Sequence, residues 1–112
     1  MVSEILTAAG VLHARASFPR LPAETCAVYF DDLEVITADR VTPPTSAGLP
    51  RIYKHNVTIE LYAPMQDDAI ETAIEDELDA RGLEWEKQDR YWLKDSQRYQ
   101  TVYGFTYTSK TK

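Results

Sequence analysis

Cysteine is almost missing from this chain: Cys26 is the only one among 112 residues. A lone thiol excludes an internal disulfide and leaves no cysteine set for a structural zinc site. Cys26 lies in the apolar run CAVYF, with no polar partner to activate it, and reads as a buried structural thiol. The two histidines, His13 and His55, are not in a metal-ligand spacing. The four glycines are scattered among turns and the last strand, which excludes a glycine-rich phosphate cradle. No apolar run reaches the roughly 18 residues that a membrane-spanning helix needs. MVSEILTAAG lacks the basic stretch of a signal peptide, so an intracellular protein with no membrane partner is expected. Basic excess is absent too. A net charge of −6 argues against a protein that wraps nucleic-acid phosphates.

What is present suits one α+β domain spanning residues 1–112. A hydrophobic fraction of 44% supports a modest core. The charge is unevenly placed. Residues 60–89 carry eleven acids against Arg81 and Lys87, a local net of −9, whereas residues 90–112 carry five bases against Asp95, a local net of +4. Such a split suits either solvated surface charge or head-to-tail docking between copies.

The order of elements is legible from periodicity. Ser3 has the character of an N-cap for a short first helix with Ile5, Leu6 and Ala9 on one side, stopped by Gly10. VLHARAS reads as a short extended segment and FPRLPAE as a loop. Residues 25–38 suggest two strands around Asp31–Asp32. Three of the six prolines fall in a loop at about 40–51, long enough to be flexible or used for binding. Tyr53–Ala63 alternates, with Val57, Ile59, Leu61 and Ala63 on the inner face. A main helix follows at about 67–81, capped by Asp67 or Asp68; Asp68 and Glu71 have capping-box spacing. Its inward stripe is Ile70, Ala73, Ile74 and Leu78, its outward residues Glu71, Glu75, Asp76 and Asp79, and Gly82 closes it. A strand through Leu83, Trp85 and Tyr91, a turn at Lys94–Gln97 and a strand at Tyr99–Thr108 complete the chain. The expected fold is therefore an antiparallel sheet of four to five strands, with the main helix on one face and a short N-terminal helix.

No catalytic constellation stands out. The paired acids sit at positions that read as solvated, whereas acid–base chemistry needs burial to raise a pKa. His55 reads as a partly buried structural histidine, and Asn56-Val57-Thr58 as a chance glycosylation sequon in mid-strand. The hairpin aromatics Tyr91, Trp92, Tyr99, Tyr103, Phe105 and Tyr107 have Arg90, Lys94 and Arg98 nearby. That mixture fits single-stranded nucleic acid, but core on one side and a subunit interface on the other account for it better, given the acidic total. No enzyme, cofactor or metal is expected.

The residues Ile59-Glu60-Leu61-Tyr62, Glu71, Ile74-Glu75, Leu78, Gly82 and Tyr99-Gln100 with Tyr103, in this order and spacing, resemble the small tail-completion, tail-terminator-like, head–tail joining proteins of long-tailed phages and prophages. AVYFDD and TADR look similar to the first hairpin of that family. The loop at 41–51 departs from it in length. The resemblance implies a non-enzymatic virion protein, assembled in the host cytoplasm as a homo-oligomeric ring, often a hexamer. Such rings dock to tail-tube and head-connector proteins and read no nucleic-acid sequence. Combined with the charge split, it leads to an expected interface in which Glu71, Glu75 and Asp79 face a neighbour's Arg90, Lys94 or Arg98. A different class, a small adaptor or inhibitor that binds a host or phage protein through the 40–51 loop, is the alternative.

Overall fold

The computed structural model describes residues 1–37 and 51–110. Two helices and six strands follow one another as α1 (Val2–Ala8), β1 (Leu12–Arg15), β2 (Cys26–Thr37), β3 (Arg51–Ala63), α2 (Asp68–Ala80), β4 (Trp85–Lys87), β5 (Tyr91–Leu93) and β6 (Arg98–Ser109). The strands form one sheet in the order β1-β2-β3-β6, with β4 and β5 one after the other along the outer edge of β6. The loop expected at 40–51 falls outside the described residues except for Arg51, which begins β3.

The sheet is mixed rather than antiparallel, and it has six strands rather than four or five. β1 pairs parallel with β2, Leu12 opposite Cys26 through Arg15 opposite Tyr29. A parallel pair needs a crossover, which residues 16–25 supply. They run over the face away from the helices, where Pro22 carbonyl accepts from Arg98 Nη2 at 3.4 Å. Local pattern alone did not reveal this direction of pairing.

β2 is one strand of twelve residues, not two strands around Asp31–Asp32. Two adjacent aspartates are tolerated because strand alternation sends them to opposite faces. Asp31 finds a cross-strand partner in His55, 2.9 Å away, and Asp32 is exposed. The long partner β3 then holds the ladder continuous from Cys26–Tyr62 to Thr37–Arg51.

The core lies between the sheet and both helices. Ile5 and Leu6 of α1 and Ile74 and Leu78 of α2 pack on Ala27, Ile59, Leu61 and Tyr103. Full burial of one such aliphatic side chain contributes about 1.5–3 kcal/mol relative to exposure. The alternation in β3 and β6 is as expected, with Val57, Ile59, Leu61, Ala63, Thr101, Tyr103 and Phe105 buried. Cys26 is fully buried, and desolvation pushes its thiol pKa up.

The helix ends differ in detail from expectation. Val2–Ala8 begins directly after Met1, so Ser3 lies inside the helix, and its hydroxyl is 2.9 Å from His13 Nε2. At α2 the cap is Asp67, whose Oδ1 accepts from Ile70 N–H at 3.3 Å, while its Oδ2 accepts from the Thr25 hydroxyl at 2.8 Å. Gly82 has φ +68, the left-handed conformation that ends a helix without a Cβ penalty.

The strand expected through Leu83–Tyr91 is broken. β4 and β5 each span three residues, and between them Arg90 turns its guanidinium toward α2. The interruption builds the polar cluster described next.

Candidate functional site

Three neighbouring elements converge at one rim of the core. From α2 come Asp68, Glu71, Glu75 and Asp79; from β4 come Trp85 and Lys87; Arg90 follows β4. Lys87 Nζ lies 2.8 Å from Glu71 Oε1 and 2.7 Å from Glu75 Oε2. Arg90 Nη2 contacts Asp68 Oδ1 at 2.8 Å. Its Nε sits 3.1 Å from Glu71 Oε2, an ion contact without the alignment of a hydrogen bond. Tyr103 of β6 donates its hydroxyl proton to Glu75 Oε2 at 2.7 Å, and Trp85 Nε1 donates to Asp79 Oδ1 at 2.8 Å. Register explains the arrangement, because Lys87 pairs with Tyr103 and Trp85 with Phe105, so both β4 side chains share the helix-facing side.

The electrostatics follow from burial. Desolvation, then the hydrogen bond to Glu75, pushes the Tyr103 phenol far above its ordinary pKa. Partial burial pulls the Lys87 ammonium down, but the Glu71 and Glu75 carboxylates outweigh it and hold the pKa above its usual value.

Glu71 is only 4% exposed, which corrects the expectation that it faces outward. The signal was available: Glu71, Ile74 and Leu78 stand at i, i+3 and i+7, one stripe of a helix. Its charge obscured this reading, since a buried carboxylate needs partners that only the fold supplies. Of the six residues expected at an interface, Glu71, Glu75, Asp79 and Arg90 find partners within their own chain. Lys94 is exposed. Arg98 donates to the carbonyls of Ser96, Gln97 and Pro22. Among the described residues, neither Lys94 nor Arg98 has a carboxylate within ion-pair distance. Lys87, which sequence reasoning did not select, is the cation at the centre of the cluster.

A second polar chain was also missed. His55, expected to be partly buried, is buried, and its Nδ1 lies 2.9 Å from Asp31 Oδ1 and its Nε2 2.8 Å from the Ser109 hydroxyl. Its ring stacks on Tyr107 with centroids 4.2 Å apart. The order carboxylate–imidazole–hydroxyl is that of a nucleophilic triad. Here it crosses β2, β3 and β6 at the sheet surface and ties three strands together.

The hairpin aromatics divide by environment. Tyr103 and Phe105 belong to the core, whereas Tyr91 and Trp92 are half exposed. A cavity of about 570 Å³ lies on the helix-free side, between Asp32, Asn56 and Thr58 and the acids Glu84 and Glu86 at β4. Among the described residues no cluster of three or more His, Cys, Asp or Glu side chains has the geometry to hold a metal ion. No described helix is long and apolar enough to cross a membrane. No family model matches the chain, and no curated protein matches it.

Proposed function

We propose that this chain is a non-enzymatic structural subunit of a phage or prophage particle, acting in tail completion or head–tail joining as a homo-oligomeric ring. The observation that carries the reading is the incomplete outer edge of β2. β1 pairs only with Cys26–Tyr29, so among the described residues Phe30–Thr37, bonded to β3 on one side, has no strand on its outer side. An open strand edge of this length is a template for another chain. The order strand–acidic helix–Gly82–hairpin, which underlies the resemblance to tail-completion proteins, supports the same reading. Its place would be the virion, beside tail-tube and head-connector proteins.

Light scattering on a size-exclusion column, over a wide concentration range, tests the reading. A discrete ring-sized species visible by electron microscopy is the expected result. Failure to form such a species, together with failure to bind tail-tube protein, would overturn it.

One observation favours the adaptor reading. The half-exposed Trp92, with Met65 across the same recess, offers an apolar surface that suits a foreign partner as well as a copy. A strict monomer that binds one host protein stoichiometrically would select that reading.

A further inference from the structure

The helix-covered face of the sheet is bare at both ends, and the two ends complement each other. At one end Leu33 and Val35 on the open-edged part of β2 are 42% and 57% exposed. At the other, Met65 is 75% exposed and Trp92 49%. Trp92 packs edge-on against Tyr99 with centroids 4.8 Å apart, and a recess of about 420 Å³ opens between these two rings and Pro64, Met65 and Gln66. The register places both surfaces on the same face. Val35 pairs with Tyr53, Ala63 with Tyr99, and Tyr99 with Trp92. Ten residues of β3 separate them, roughly 33 Å at about 3.3 Å per residue.

Charge matches the same ends. Asp32 and Glu34 alternate with Leu33 and Val35 and project from the opposite face of the same segment, and Lys94 and Arg98 follow Trp92. Among the described residues none of these four is in an ion pair; Asp32 and Lys94 are exposed, while Glu34 accepts from Asn56 Nδ2 at 2.9 Å and Arg98 donates to three backbone carbonyls. Two-fold antiparallel pairing of the open β2 edge centred on Leu33 would set Asp32 against Glu34, which disfavours that contact.

We infer that copies of this chain join head to tail, the Leu33–Val35 edge of one seating against the Met65–Trp92–Tyr99 recess of the next. The inference rests on the ring reading above and names its contact. A contact between two different surfaces is heterologous, so it propagates and closes into a ring when the rotation permits. The apolar pairs exclude water at its centre, and the exposed Asp32 approaches the exposed Lys94 of the next copy at its margin.

A capping experiment tests it. Val35→Arg disables one surface and Trp92→Arg the other; both positions are exposed enough for the fold to survive, which circular dichroism verifies. Each variant alone is expected to lose assembly and run at the 12.8 kDa chain mass. Mixed in equal amounts, the two should form a species of twice that mass and no larger, because one intact edge and one intact recess remain. Wild-type assembly by both single variants would overturn the contact while leaving the ring reading standing. A wild type that stays monomeric up to its solubility limit would overturn it as well, and tail-tube binding would then decide the ring reading separately. If the outward-facing amides of Phe30–Thr37, those not bonded to β3, resist hydrogen exchange in such a monomer, the edge belongs to the chain's own segment 38–50.

Discussion

Glu75 of α2 and Tyr103 of β6 are joined by a 2.7 Å hydrogen bond, and the acceptor oxygen, Oε2, is also 2.7 Å from Lys87 Nζ. One carboxylate thus links the main helix to the centre of the sheet and to its outer strand. The lysine also lies over the Tyr103 ring, 5.7 Å from its centroid. Apolar side chains tolerate small slides of a helix on a sheet. A directional bond from a fully buried tyrosine does not, so this pair sets the seat of α2.

Removal of Glu71 should expose the cost of this rim. Glu71→Ala leaves Lys87 with Glu75 alone and Arg90 with the exposed Asp68, and opens a gap beside Ile74. The expected loss is about 2 kcal/mol, below that for a fully buried pair because both cations are partly solvated. Asp76→Ala, on the solvent side of the same helix, should stay within about 0.5 kcal/mol. Urea unfolding monitored by circular dichroism measures both. Equal effects would show that Glu71 contributes no more than a surface acid.

Stability should fall in alkali, and Tyr103 should account for part of the slope. Its folded pKa lies above the unfolded value near 10, so above that pH the unfolded chain gives up a proton that the folded chain keeps. The stabilisation is therefore complete below about pH 10 and declines as pH rises further, by up to about 1.4 kcal/mol per pH unit for one group. Tyr62, Tyr107 and Lys87 are shifted in the same direction, so the slope persists in part without Tyr103. Tyr103→Phe is expected to cost about 1 kcal/mol at neutral pH and to lose less than the wild type on going to pH of about 11. Parallel pH curves for the two proteins would refute the assignment.

The two candidate caps of α2 should separate cleanly. Asp67→Ala removes the acceptor for Ile70 N–H and for the Thr25 hydroxyl, and is expected to cost about 1–2 kcal/mol. Asp68→Ala removes one exposed contact to Arg90 and should cost about 0.5 kcal/mol or less. Thermal melts of the two variants give the order, and a reversed order would place the cap at Asp68.

The sequence alone determined the alternation of β3 and β6, the apolar stripe of α2, the left-handed stop at Gly82 and the burial of Cys26. Each rests on a local period or a conformational preference within a few residues, and such information is complete in the chain itself. Only the tertiary structure decided that β1 runs parallel to β2, that Asp31–Asp32 lies within one strand, that Glu71 is buried, and that Asp31, His55 and Ser109 meet. These outcomes depend on partners from 14 to 54 residues away in sequence, as between Leu12 and Cys26 or His55 and Ser109. A charged side chain states its need for a partner but not where that partner comes from. Register and crossover supply the answer, and they are properties of the assembled sheet.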